Sequence, residues 1–288
     1  MLNTTLYKAE TPSDAPPLLI AHGLFGSARN WGVICRRLAE TRKVIAVDMR
    51  NHGESPWTET HRYPDMAADL AEVIAAQGGQ ADVLGHSMGG KAAMALALTE
   101  PGRVRRLVVA DVAPVAYSHD QMQNVDAMRS LDPATVATRG DADRKLAEVL
   151  PDAGLRAFFL QSLDLRADPP RWKLNLDLLA AEMPHIVGWP GIEGRFEGPA
   201  LFPDRRVVAL CPARASRDDP AALSGGALCR TEGGGALAPC REAPRLRGYG
   251  PRLSRRLSRS GGGARGSAAG PQSPTFRIRS SEPSRSTN

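Results

Sequence analysis

The chain has 288 residues, 42% hydrophobic and 24% charged, which is enough apolar side chain to bury a core and too much for a disordered polymer. Its net charge of +6 is unevenly spread: residues 204–288 carry sixteen arginines, no lysine and six acids, a net of +10, which leaves −4 on residues 1–203. No apolar run reaches the length of a membrane span, and MLNTTLYKAE lacks the basic-then-apolar form of a secretory leader, so a membrane or exported protein is disfavoured and a cytoplasmic one expected.

PPLLIAHG (16–23) is a short apolar run closed by glycine, as a buried parallel strand is. WGVICRRLAE has helical spacing, with Cys35 on its core side, and KVIAVDMRNHG is a second buried strand and turn. YPDMAADLAEVIAAQGG sets Met66, Leu70, Val73 and Ile74 on one helical face and stops at Gly78 and Gly79. ADVLGHS reads as a third strand, GGKAAMALALTEP as a helix and VRRLVVADVAP as a fourth strand. Strand and helix alternate steadily, so a mostly parallel, doubly wound α/β sheet is expected.

Residues 118–190 leave that rhythm and read as helices without an intervening apolar strand: DQMQNVDAMRS, DADRKLAEVL, LRAFFLQSL and WKLNLDLLAAEM. The expected organisation is a core over 1–117, a helical cap over 118–190 and a return to the core over 191–202, where FEGPALF resembles another strand. Residues 203–288, rich in Arg, Pro, Gly and Ser, show neither period and are expected to form a disordered tail. Three cysteines lie there (Cys211, Cys229 and Cys240) without the spacing of a metal site. No metal or organic cofactor is implied.

VLGHSMGG places G-x-S-x-G at Gly85, Ser87 and Gly89, between a predicted strand and a predicted helix. That context distinguishes a nucleophile elbow from a chance pair of glycines around a serine. Ser87 then stands at the carboxyl edge of the sheet, and the N–H of Met88 at the helix start points where an oxyanion develops. The alternative is a plain strand-to-helix turn made of small residues. AHGLFG (21–26) also follows a strand, and its glycines allow close backbone approach. The N–H of Leu24 is the candidate second oxyanion donor, with Phe25 as the substitute.

HGLFGSARNW, VDMRNHGES, GHSMGGKAA and VVADVAP, in this order and spacing, resemble the α/β-hydrolase superfamily over residues 4–202, and within it the small bacterial esterases with a short helical cap. The resemblance implies Ser87 as nucleophile, a histidine base and an orienting acid, acting on a small-molecule carboxylic or thio ester through an acyl-enzyme. It further implies Asp111, at the end of the strand before the cap, as that acid, although a carboxylate there also serves to cap a turn. Asp48, Arg50 and His52 are expected to brace the DMRNHG turn. Epoxide and haloalkane hydrolases are disfavoured, since those resemblances require a carboxylate at position 87.

The family carries its histidine in a G-H-x loop near the end of the chain, and here the histidines are 22, 52, 61, 86, 119 and 185, with none after His185. His22 belongs to the oxyanion loop, elbow geometry turns His86 away from the serine, and His119 and His185 fall in the cap. The base is therefore expected to be missing and turnover impaired. A single extra nucleotide near codon 202 accounts for this. Read in the other frame, GGGALAPCREAPRLRGYG permits Gly-Ala-Gly-His-Trp-Leu-His-Ala-Glu, the family's histidine loop, encoded across Ala236 and Leu237. Arginine without lysine is also what out-of-frame GC-rich DNA tends to encode. The competing reading makes the basic tail a nucleic-acid-binding arm on a non-catalytic domain. It is disfavoured because only Tyr249 and Phe276 are aromatic beyond Phe202.

Overall fold

The structure, a computed structural model, describes residues 1–203 other than Pro12 and His119, together with the backbone of Phe276–Ile278. The cysteines at 211, 229 and 240, Tyr249 and the out-of-frame reading of residues 204 onward, Ala236 and Leu237 included, lie outside the described residues, apart from that one strand.

Strand β1 (Thr4–Tyr7) is followed by β2 (Leu18–Ala21), α1 (Gly32–Ala39), β3 (Val44–Val47), α2 (Tyr63–Ala75), β4 (Ala81–His86), α3 (Met88–Thr99) and β5 (Val104–Ala110). All four residues of β2 and of β3 are buried, because successive side chains point to opposite faces and both faces are covered. Leu19, Ala21, Ile45, Val47 and Val83 pack with α2 and α3, whereas Leu18, Ile20, Val44, Ala46 and Leu84 pack with Trp31, Cys35 and Ala39 beneath α1. The expected face of α2 is the buried one, with Met66, Leu70, Val73 and Ile74 at most 1% exposed. That helix ends where the Gly79 amide closes on the Ile74 carbonyl.

The sheet has six strands in the order β1-β3-β2-β4-β5-β9, β9 being Ala200–Leu201. β1 is antiparallel to β3, and the remaining pairings are parallel. β1 was not anticipated: as an edge strand reading TTLY, it is half-buried at Thr4 and Tyr7, exposed at Thr5 and Leu6, and lacks the apolar run that marks its neighbours. The order brings the carboxyl ends of β2, β4 and β5 side by side, where ligands bind open parallel sheets.

Between β5 and β9 the chain forms α4 (Met122–Arg129), α5 (Arg139–Ala147), α6 (Ala153–Phe159), β6 (Leu163–Asp164), β7 (Arg171–Trp172), α7 (Leu176–Ala181), α8 (Met183–Val187) and β8 (Gly194–Phe196). Two expectations need correcting here. The helical segment contains a small antiparallel hairpin, β6 with β7, so Trp172 sits in a strand and the helix begins at Leu176. FEGPALF, read as one strand, is divided at Gly198 and Pro199: Phe196 ends β8, and only Ala200 and Leu201 join β5. A third correction concerns the tail, where Phe276–Ile278 forms a strand, β10, antiparallel to β8. The segment is sewn to the turn after β3 by backbone bonds from Gly53 to Lys173 (2.8 Å) and from Asn175 to Asn51 (3.1 Å).

Candidate active site

Ser87 occupies the junction of β4 and α3 with φ 51° and ψ −119°, a conformation that L residues avoid. Its amide donates to the Ala110 carbonyl at the end of β5 (2.9 Å), and its carbonyl accepts from the Lys91 amide (3.0 Å), so both neighbouring elements hold the strained residue in place. The turn closes only because its flanks are bare. A Cβ on Gly85 would lie 2.6 Å from the Gly90 Cα and run into the Gly89 carbonyl; one on Gly89 would lie 2.5 Å from the carbonyls of both Ala21 and His22. Ser87 is half-buried, and no described residue hydrogen-bonds its hydroxyl.

Two amides near this residue are uncommitted. Met88 opens α3, where an N–H has no intrahelical acceptor. The 23–26 loop is a tight turn closed by Gly26 N–H to Gly23 O (3.0 Å), with Phe25 at φ 63°. Within it the Phe25 amide is taken up by His52 Nε2 (3.1 Å), whereas the Leu24 amide has no acceptor among the described residues. Of the two amides considered from the sequence, only that of Leu24 is therefore available.

The DMRNHG turn is a dense hydrogen-bonded knot. Asp48 accepts from the Ala28 amide (2.7 Å), Asn3 Nδ2 (2.8 Å) and the Glu54 amide (3.0 Å). Arg50 pairs with both oxygens of Asp69 (2.6 and 2.9 Å). His52 donates from Nδ1 to the Arg50 carbonyl (2.9 Å). Asp48, Arg50 and His52 thus brace the loop, as expected. Three imidazoles cluster here, tilted against one another: His22 and His52 have centroids 5.2 Å apart at 58°, His52 and His61 5.3 Å apart at 32°. Sequence reading did not find this cluster, since the three residues are widely separated in the chain. Burial pushes all three below the ordinary histidine value, His22 to about 4, His61 to about 3 and His52 well below.

The opposite side of Ser87 is more open. Asp111, immediately after β5, has φ 61° and a side chain 64% exposed. Its Oδ2 lies 3.9 Å from Nε2 of His86, whose pKa burial lowers and Asp111 partly restores. His185 is exposed on α8, and His119 lies outside the described residues. Among the described residues no group of His, Cys, Asp and Glu side chains could hold a metal ion, and no helix is long and apolar enough to cross a membrane.

Lys91, one turn beyond Ser87, is 2% exposed yet has no carboxylate partner among the described residues. Its Nζ donates to the carbonyls of Val187 (2.9 Å) and Gly188 (2.6 Å) and lies over the rings of Tyr117 (4.8 Å) and Tyr63 (5.6 Å). Burial lowers its pKa to about 8. A cavity of about 430 Å³ lined by Val104, Arg195 and Phe196 is remote from this chemistry, at the amino end of β5.

A family described as the alpha/beta hydrolase fold matches residues 16–179, more than half the chain. The chain belongs to that superfamily. It is 38% identical over 205 residues to Esterase YbfF of Escherichia coli, covering 70% of this chain and 78% of that one. It is also 38% identical over 196 residues to the mouse sn-1-specific diacylglycerol lipase ABHD11, covering 65% of this chain and 64% of the lipase. The chain thus spans less than two thirds of that lipase. Among solved structures, a marine microorganism esterase matches with a TM-score of 0.65 and 35% identity over 70% of this chain and 79% of the other. The relatives named here are two esterases and a lipase, and the sheet, helices and junction described above are the chain's share of that fold.

Proposed function

We propose that the chain is built as a serine ester hydrolase in which Ser87 is the nucleophile, the Leu24 and Met88 amides receive the oxyanion, and Asp111 is the acid meant to orient a histidine. The observation that carries this reading is the strained Ser87 at the tip of β4, fixed where two uncommitted amides lie nearby. Attack by Oγ on an acyl carbonyl forms an O–C bond and moves the carbonyl electrons onto oxygen. Collapse expels the alcohol and leaves the acyl-enzyme, and water then releases the acid. The substrate class is a small carboxylic or thio ester, in keeping with the names of the relatives.

Each proton transfer in that cycle needs a base beside Oγ. No described imidazole bonds Ser87, and the 288 residues hold no histidine after His185. We therefore read the chain as impaired, with residues 1–117 as core, 118–190 as cap, 191–202 as return and the tail from 203 as out-of-frame sequence. Deleting one nucleotide near codon 202 and assaying both proteins on a short-chain aryl ester tests this. A gain of about 10⁴-fold in turnover is expected from completing a triad; equal turnover in the two proteins refutes the account of the tail.

A further inference from the structure

The clustered histidines contact both the 23–26 loop and Met88, and the mechanism above uses none of them as a base. We propose that His22, His52 and His61 form a neutral positioning framework for the oxyanion donors, each locked in one tautomer. This rests on the reading of Ser87, Leu24 and Met88 just given and assigns the residues that hold those donors in place.

The tautomers follow from the partners. His22 donates from Nδ1 to the Gly23 carbonyl (2.8 Å) and accepts the Met49 amide at Nε2 (2.9 Å). His52 has the same arrangement, Nδ1–H to the Arg50 carbonyl and Nε2 from the Phe25 amide. In His61 the pattern reverses: Asn51 Nδ2 lies 3.3 Å from Nδ1 and the Met88 sulfur 3.1 Å from Nε2, so the proton is on Nε2 and faces that sulfur. His52 thereby ties down the residue after Leu24, and His61 ties down Met88 itself. The backbone carbonyl of His22 takes the Gly89 amide (3.1 Å), joining the loop to the first turn of α3.

The framework also explains how Phe25 is kept at positive φ, which costs a non-glycine residue about 1 kcal/mol. If the Phe25 amide were released, the turn could relax and Leu24 would swing. The groups facing the cluster are the Asp48 carboxylate near His22, the Arg50 guanidinium near His61, and His86 beyond His22. A second proton on His22 or His52 would set an N–H against the amide it now accepts.

The test reads the oxyanion site at equilibrium, so it does not depend on a base. An arylboronic acid is titrated into the full chain and followed by boron NMR. Trigonal boron accepts a lone pair of Ser87 Oγ, the hydroxyl proton passes to buffer, and an anionic tetrahedral adduct forms over the two amides. His52→Asn retains a donor near Nδ1 and removes the acceptor of the Phe25 amide; His52→Gln retains an acceptor near Nε2. We expect His52→Asn to lower boronate affinity by about 10- to 100-fold and His52→Gln to recover most of it. His61→Leu, whose apolar side chain needs no partner, is expected to lower affinity by about 10-fold, which keeps the test decisive if His52→Asn fails to fold. Histidine-labelled NMR of the unmodified chain is expected to show Nδ1–H at His22 and His52 and Nε2–H at His61. A Ser87-dependent adduct with unchanged affinity in the folded variants, or any of the three histidines in the other tautomer, overturns the framework alone. No adduct with the unmodified chain, or one that survives Ser87→Ala, overturns the Ser87 reading and the framework with it.

Discussion

On one side of Ser87 each ring nitrogen of three buried histidines has a partner, the Phe25 amide is spoken for and the Leu24 amide is spared. On the other side Asp111 projects a carboxylate that is 64% exposed and, among the described residues, pairs with His86 alone, at 3.9 Å. The two sides differ in where their parts come from. The braced side is assembled from residues 22 to 91, within the strands and turns that also make the core. On the proposed reading the open side awaits a group delivered from elsewhere in the chain, so it is the half that a break in the sequence would empty.

Completing the open side gives the largest effect, the gain of about 10⁴-fold expected on restoring the frame near codon 202, read as aryl ester turnover. In that restored protein Ser87→Ala should abolish the gain. Breaking the braced side comes next. Gly85→Ala drives a methyl into the Gly89 carbonyl and should cost about 3 kcal/mol of unfolding free energy, read by urea denaturation.

Acid attacks the same side. Unfolded histidine takes its proton near 6.5, and His22 in the fold waits until about 4. Between those values the unfolded state binds more protons, so stability falls as pH drops through that window and is flat above it. His22 alone contributes about 3 kcal/mol to this loss, with His61 and His52 acting in the same direction. Denaturation midpoints at pH 7 and pH 4 measure it.

Lys91 gives a slope at the alkaline end. Its folded pKa of about 8 lies below the ordinary 10.5, so from pH 8 upward the unfolded chain holds the extra proton and stability rises. Relative to Lys91→Met, the unmodified chain should gain about 2 kcal/mol between pH 8 and 10, seen as a change in the difference between their urea curves.

The smallest effect sharpens the comparison. Asp111→Asn, at an exposed site whose backbone suits asparagine, should change stability by less than about 0.5 kcal/mol. It should also lower the His86 pKa further, since Asp111 raises it. Both are measurable, by denaturation and by imidazole NMR.

Much of this architecture was legible in the sequence because buried parallel strands and one-faced helices leave periodic marks. The strands near Leu18, Val44, Ala81 and Val104 were found that way, and the turn at Ser87 from its G-x-S-x-G pattern between a strand and a helix. β1 escaped because an edge strand needs no apolar run, and β6 and β7 because two residues carry no period. The choice of Leu24 over Phe25 could be ranked from sequence, but its physical reason, the His52 acceptor, exists only after His52 and Phe25 meet across the fold. The cluster of His22, His52 and His61 was invisible for the same reason: a tautomer is fixed by neighbours, and those neighbours are tertiary.

From Met88 to Leu98, α3 has no wet side: every residue in that stretch is buried. Anyone wishing to hang a dye or an affinity handle close to Ser87 will find no foothold along those eleven positions. The first place on the rod that tolerates chemical attachment is Thr99, more than two turns past Lys91 and at the far end from Ser87.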